Sequence, residues 1–88
     1  MIDKNITIKP LYDYNEQEVL IGDKLQLIYN ERDTKIIREY IYEVSETGEP
    51  YLYELDINGD IDKDLSKHIP VDSSTKLVHN THTKWFKI

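Results

Sequence analysis

The stretch that decides the fold runs over residues 35–57, KIIREYIYEVSETGEPYLYELDI. It contains two similar runs, Tyr40-Ile41-Tyr42-Glu43-Val44 and Tyr51-Leu52-Tyr53-Glu54-Leu55, which are separated by the polar segment 45–50. Tyrosine and β-branched residues are enriched in strands because they pack well on a pleated surface. Two matched runs around a polar loop therefore predict a β-hairpin in the middle of the chain.

The first arm of this hairpin has a competing interpretation as a helix. Its apolar residues also fall on one side of a helix: Ile36, Ile37, Tyr40, Ile41 and Val44. Periodicity slightly favours that helix. Composition and the hairpin signal favour the strand. A short helix near residues 34–46, which would make the fold α+β, stays as the alternative.

Short runs with strand-like patterning lie on both sides of this hairpin. Ile6-Thr7-Ile8 and residues 83–88 are typical of strands, and Leu25, Leu27 and Tyr29 alternate with polar residues. Asn58-Gly59 is a strong turn signal. Together they predict a mainly β fold over residues 1–88, a single domain built as a bent antiparallel sheet of five to six strands or as a small barrel.

Residues 21–71 carry turn and strand motifs in an order that resembles an SH3-like barrel. The motifs are Gly22-Asp23-Lys24-Leu25, Tyr53-Glu54-Leu55, Asn58-Gly59 and Ile69-Pro70-Val71. The resemblance covers about half of the chain. It implies a barrel closed by short strands.

Length and composition exclude several classes of protein. The chain has 88 residues and no cysteine, which excludes disulfide scaffolds, thiolate zinc sites and thiol nucleophiles. No apolar run approaches ~18 residues, and the first residues lack the apolar core of a signal peptide. We therefore expect a cytoplasmic protein that does not enter a membrane.

Acidic residues are concentrated in the middle of the chain. The net charge is −6, but residues 39–64 hold nine acidic residues and one lysine, whereas residues 65–88 hold four lysines and one acid. An acidic field of this kind repels nucleic acid and attracts basic surfaces. The C-terminal His82, Lys84, Trp85, Phe86 and Lys87 offer a small basic and aromatic patch, but direct nucleic-acid binding is not expected against this charge.

Catalysis and cofactor binding find little support in the sequence. The glycines at 22, 48 and 59 are isolated, so no phosphate-binding loop is formed, and no nucleophile has a recognisable base. We expect no enzyme activity, no cofactor and no metal site.

One acidic loop keeps a metal alternative open. The Asp56–Asp62 segment alternates oxygen ligands as a Ca²⁺ loop does, but Ile61 and Lys67 occupy the positions that would need glycine and a bidentate acid. A hairpin turn with exposed acids is the favoured interpretation of this loop, and a weak divalent-cation site is the alternative.

Tyrosines beside acidic loops suggest a protein-binding surface. The four hairpin tyrosines, Tyr40, Tyr42, Tyr51 and Tyr53, are placed on one face, with Glu39, Glu43 and Glu54 on or near the other. The favoured interpretation is that their rings cap the core with the hydroxyls in water, and the alternative is that two or more lie exposed beside the acidic loops. Tyrosine is common at interface hot spots, and carboxylates can stand where phosphates normally bind. The predicted partner-binding residues are Glu46, Glu49, Tyr51, Tyr53, Asp56, Asp60, Asp62 and Asp64.

The leading functional hypothesis is a small acidic inhibitor that occupies a basic nucleic-acid-binding surface on a larger protein. In composition the chain is similar to phage or mobile-element inhibitors of host nucleases, which are short, acidic and free of cysteine. The alternative is an SH3-like structural or adaptor subunit without charge mimicry. Such a module would bind through a sheet edge or an aromatic groove, or would form a homo-oligomer.

Overall fold

The computed structural model describes residues 10–72, 75–77 and 79–88. Within them lie seven strands and one short 3-10 turn: β1 (Leu11–Tyr12), β2 (Glu18–Val19), β3 (Lys24–Glu31), β4 (Thr34–Val44), β5 (Pro50–Glu54), the 3-10 turn Leu65–Lys67, β6 (Ile69–Pro70) and β7 (Thr83–Lys87). β1 and β2 pair with each other, and the other five strands form one antiparallel sheet in the order β6-β5-β4-β3-β7. The mainly β fold class is confirmed. Residues 6–8, predicted as a strand, lie outside the described residues.

The ambiguous segment near residues 34–46 is a strand, so the helix alternative is wrong. β4 pairs with β3 along its length from Glu31↔Thr34 to Lys24↔Ile41, around a turn formed by Arg32 and Asp33. The β-branched and aromatic residues of β4 gain cross-strand partners in the sheet that an isolated helix would not supply. Tertiary pairing therefore overrides the weak helical periodicity.

The loop between β4 and β5 fixes which tyrosines share a face. Val44 pairs with Pro50, so the loop holds the five residues from Ser45 to Glu49. The Ser45 N–H donates to the Glu49 carbonyl over 2.7 Å, and Gly48 takes a φ of 86°, which suits glycine. Proline fits the first position of a strand, because its missing N–H costs little there.

This register contradicts the prediction that the four hairpin tyrosines lie on one face. Tyr42 stands opposite Leu52 and Tyr40 opposite Glu54, whereas Tyr51 and Tyr53 stand opposite Glu43 and Ile41. A loop of six residues would have aligned the tyrosines, but a loop of five shifts the pairing by one residue and turns β5 over. Glu54 therefore shares a face with Tyr40, and Glu39 and Glu43 share the opposite face with Tyr51 and Tyr53.

One face of the sheet, the core face, is covered. Its buried residues come from six strands and the segment after β6: Leu11, Val19, Leu25, Tyr40, Tyr42, Leu52, Val71 and Trp85. The Tyr40 and Trp85 rings lie 5.0 Å apart between centroids. Burial of these aromatic and aliphatic side chains is the main favourable contribution to folding. We call the opposite face, with Tyr51 and Tyr53, the outer face.

The β1–β2 hairpin covers the core face and is held at the edge of β7 by Asp13. This carboxylate is only 2% exposed and accepts backbone N–H groups from Asn15 at 2.9 Å, Gln17 at 2.8 Å and Lys87 at 2.9 Å. Burial alone would raise the pKa of Asp13, but these three donors outweigh it and leave the pKa below its ordinary value. Asp13 thus joins the small hairpin to the main sheet.

The main sheet is open rather than a closed barrel. Its edges in the described residues are β6 and β7, which lie at opposite ends of the strand order. Of the two predicted architectures the bent open sheet is the one observed, and the SH3-like barrel is not formed.

The only helical element in the described part of the chain is the three-residue 3-10 turn. No helix there is long and apolar enough to span a membrane.

Candidate functional site

Tyr51 and Tyr53 form a stacked pair on the outer face. Both side chains are partly exposed, and their ring centroids lie 5.5 Å apart with an interplanar angle of 24°. They stack because residues two apart on a strand point to the same side. The pair presents two flat aromatic surfaces, each with a hydroxyl group, beside solvent.

His68 packs against Tyr53, one member of this pair. Its ring meets the Tyr53 ring edge-on, with centroids 4.8 Å apart at an interplanar angle of 72°. Nδ1 accepts the Glu54 backbone N–H over 3.2 Å, and Nε2 lies 2.8 Å from the Asp62 carbonyl oxygen. A neutral ring with its proton on Nε2 satisfies both contacts. His68 therefore connects the tyrosine pair to the acidic segment that follows β5.

Two glutamates add negative charge beside the tyrosines. Glu43 stands directly opposite Tyr51 in the sheet, and Glu46 lies in the loop that precedes β5. The pKa of the Tyr53 hydroxyl is raised by burial first, and then by Tyr51, Glu43 and Glu46. The tyrosine pair thus lies in a negative local field.

The Asp56–Asp62 segment folds as a tight turn that uses its first carboxylate internally. Asp56 Oδ1 accepts the backbone N–H of Asn58 at 2.9 Å and that of Asp60 at 3.1 Å. Gly59 supplies the positive φ of 85° that the turn needs. The favoured hairpin-turn interpretation agrees with these contacts, and the Asp60 side chain is left exposed.

The next two acids also have local partners. Asp64 accepts the Ser66 hydroxyl and backbone N–H at the start of the 3-10 turn, which lowers the pKa of its carboxyl group. Asp62 accepts the Asp64 N–H and pairs with Lys67 Nζ at 3.2 Å, and both contacts lower its pKa. Both acids therefore remain ionised at neutral pH, but Lys67 offsets part of the charge of Asp62.

The predicted partner-binding residues form two neighbouring groups. Tyr51, Tyr53 and Glu46 lie together at the outer face, with Glu49 exposed in the same loop. Asp56, Asp60, Asp62 and Asp64 lie on the following turns, which His68 connects to Tyr53. The sequence allows His68 to be interpreted as a surface or partner-contact histidine, but no pattern around it predicts its contact with Tyr53. The sequence pattern predicts Glu43 on the face opposite Tyr51. The five-residue loop between β4 and β5 puts both side chains on the same face.

A second polar cluster lies on the core face behind this surface. Glu54 is 7% exposed, accepts the Tyr40 hydroxyl over 3.1 Å and pairs with Arg38 Nη1 over 3.1 Å. Arg38 Nε also donates to the Tyr29 hydroxyl over 3.2 Å. Burial and the Glu54 carboxylate raise the pKa of Tyr40 to about 12. This network satisfies the buried polar groups of the hairpin and is a structural feature.

Two grooves flank the sheet. An apolar groove of about 390 Å³ lies beside the β1–β2 hairpin, lined by Leu11, Tyr12 and Leu77 among others. A more polar groove of about 350 Å³ lies where β5 ends beside β4, lined by Ile37, Arg38, Glu39, Glu54, Leu55, Asp56 and Ile57. Within the described ranges, no three His, Asp or Glu side chains converge as metal ligands would.

The chain matches no family model, no curated protein and no solved structure.

Proposed function

We propose that the protein is a small protein-binding module that uses the outer face of β5 to occupy a basic surface, of the kind that binds nucleic acid, on a larger partner. The observation that carries the proposal is the stacked Tyr51–Tyr53 pair with Glu43 opposite it and Glu46 beside it. Aromatic anchors supply contact area at low entropic cost, and carboxylates around them select a positively charged partner.

The charge distribution supports a basic partner rather than nucleic acid. Residues 39–64 carry nine acids and a single lysine. They include Tyr51, Tyr53, Glu43 and Glu46, which we call the tyrosine surface. A nucleic-acid backbone would be repelled there, whereas a surface that normally binds phosphates would be attracted. Asp60 and Asp64, both exposed, extend this negative surface beyond the tyrosines.

The test is capture of a partner on the immobilised full chain from nuclease-treated bacterial lysate, with elution by a salt gradient and identification by mass spectrometry. We expect a stoichiometric nucleic-acid-handling protein that is released by salt, because interactions between exposed charges weaken at high ionic strength. A partner that stays bound at high salt would contradict charge mimicry and favour a structural or adaptor subunit.

Charge reversal at the surface should abolish this capture. In the variant with Glu43→Lys, Glu46→Lys and Glu49→Lys, three carboxylates next to the tyrosines become cations, and we expect loss of the captured protein. The matched control is Glu16→Lys, Glu18→Lys and Glu31→Lys, three exposed acids outside the tyrosine surface. Equal loss in both variants would show that only net charge matters and would overturn the site.

Truncation of the aromatic pair tests the contact itself. With Tyr51→Ala and Tyr53→Ala together, we expect capture to weaken about 30-fold or more, since hot-spot aromatics contribute ≥2 kcal/mol to binding. Tyr12→Ala, at another exposed tyrosine, is the control. Unchanged capture by the double variant would remove the tyrosines from the interface.

A further inference from the structure

β4 is longer than β5, the strand that pairs with it on the side away from β3. β5 pairs only with residues from Tyr40 to Val44, and Leu55 adds one more contact by donating its N–H to the Glu39 carbonyl over 2.8 Å. Residues 34–38 pair with β3 on one side, and no other described strand lies on their second side. This segment is therefore an edge of the sheet in the described part of the chain, about 17 Å long at ~3.4 Å per residue.

The backbone groups on this edge point toward the uncovered side. The Glu39 carbonyl faces β5, whereas Tyr42 bonds on the β3 side, to Asp23 and Gly22. Because the direction alternates along an antiparallel strand, Lys35 and Ile37 share the orientation of Glu39. Their N–H and C=O groups can pair with an incoming strand without disturbing the β3–β4 ladder.

The groove of about 350 Å³ lies at the end of this edge. Its apolar lining comes from Ile37, Leu55 and the fully exposed Ile57. The acids Glu39 and Asp56 also line it, and the one cation in its lining, Arg38, is already paired with Glu54. A side chain that enters the groove therefore meets apolar surface and uncompensated negative charge.

These features favour one kind of occupant. An extended segment that alternates lysine or arginine with β-branched residues would match the open backbone groups and the charge of the groove, with a basic side chain over the groove acids and none beside the exposed Lys35 of the edge. A second copy of this chain fits less well, because two chains that each carry a net charge of −6 repel one another.

We propose that the edge of β4 at residues 34–38 accepts an extended basic segment of the partner protein as an added strand of the sheet. The inference rests on the proposed function, since it supplies a second contact to the same basic partner. The tyrosine surface lies on β5 and the edge lies beside the end of β5, so one partner can reach both.

The probe is the peptide acetyl-Lys-Val-Lys-Val-Lys-Val-amide, titrated into the ¹⁵N-labelled full chain and followed by NMR. We expect the amide signals of Lys35 and Ile37 to shift and their hydrogen exchange to slow, because these groups gain partners. The control peptide replaces each Lys with Glu and should bind at least about tenfold more weakly, a difference of ~1.4 kcal/mol. Shifts confined to other residues, or equal binding of both peptides, would overturn the proposal.

Two variants separate backbone pairing from charge. Ile37→Pro removes an N–H that faces away from β3, so the fold should persist while peptide affinity falls about tenfold or more. Glu39→Lys should weaken binding of the Lys peptide and strengthen that of the Glu peptide, whereas Glu18→Lys on β2 should change neither. If Ile37→Pro unfolds, a Lys peptide N-methylated on alternate residues replaces it, and undiminished binding by that peptide would count against an added strand.

The two proposals can fail separately. Edge signals that respond to the Lys peptide, in a protein that captures no basic partner, would overturn the proposed function alone. Salt-released capture that survives Ile37→Pro, with no edge response to the peptide, would overturn the added strand alone.

Discussion

The two Tyr-x-Tyr runs of the central hairpin have nearly the same sequence and opposite surroundings. Tyr40 and Tyr42 lie in the core, 5% and 0% exposed, whereas Tyr51 and Tyr53 stack on the outer face next to Glu43. The first pair contributes to stability through burial, and the second leaves aromatic surface available for contact. The difference arises from the loop between them and not from the residues themselves.

Stability should depend on the first pair far more than on the second. We expect Tyr42→Ala to lower the free energy of unfolding by about 3–5 kcal/mol, because it empties a fully buried aromatic site. Tyr53→Ala should cost only about 1 kcal/mol, since its ring is partly exposed. Urea unfolding followed by circular dichroism measures both values. Similar losses for the two variants would mean that the register of the hairpin is wrong.

The length of the loop between β4 and β5 decides which tyrosines are buried, and it is the part of the hairpin that local sequence patterns predict least well. The strand content, the central hairpin and the Asn58-Gly59 turn could be predicted from local pattern, because alternation and turn residues act locally. The face of the sheet on which each tyrosine lies could not be predicted in this way, since it depends on whether Pro50 ends the loop or begins β5. Side chains alternate between the two faces along a strand. An error of one residue in loop length therefore moves every side chain of β5 to the opposite face.

Loss of Asp13 should expose the core face and leave the outer face unchanged. Asp13→Ala removes two N–H contacts within the β1–β2 hairpin and the one from Lys87 that joins it to β7, and we expect a loss of roughly 2–3 kcal/mol in unfolding free energy. Fluorescence of Trp85, the only tryptophan, should report increased solvent access. NMR signals of Tyr51 and Tyr53 should stay in place.

Low pH should reproduce part of the loss of stability expected for Asp13→Ala. The folded state holds the pKa of Asp13 below its ordinary value, so this carboxylate stabilises the fold above the unfolded pKa. That contribution is lost as the pH falls below about 4 through the folded pKa. Asp13→Asn cannot titrate and should show a shallower decline in stability as the pH falls below about 4. An unchanged decline would assign acid unfolding to other carboxylates.

High pH should lower the stability of the fold by ionising the buried Tyr40. Its pKa is raised to about 12 by burial and by Glu54, so the protonated hydroxyl stabilises the fold fully below the unfolded pKa near 10. This contribution is lost as the pH rises from 10 toward 12. Absorbance at 295 nm should show Tyr40 ionising near pH 12 beside the late ionisation of Tyr42, whose pKa burial also raises, and Tyr40→Phe should reduce the late step by one tyrosine. Tyr12→Phe is the exposed control, and if it reduced the same step, the assignment to Tyr40 would be wrong.

The candidate site was only partly predictable for a similar physical reason. Composition located the acids, and turn chemistry located Asp56 and Gly59, because these properties depend on neighbouring residues. His68 reaches Tyr53 and the Glu54 backbone from fourteen residues beyond Glu54, across the folded segment 55–67. The edge of β4 likewise follows from the unequal lengths of β4 and β5, which only the pairing reveals.

The smallest expected effect is at the tip of the β3–β4 hairpin, which both faces share. Arg32 has a φ of 58°, in the left-handed region that asparagine adopts more readily than arginine. Arg32→Asn should therefore raise the free energy of unfolding by about 0.5 kcal/mol. Since Arg32 belongs to neither tyrosine pair, salt-dependent capture of a partner should not change. A variant that gains stability but loses capture would extend the binding surface from β5 and the edge of β4 to the hairpin tip.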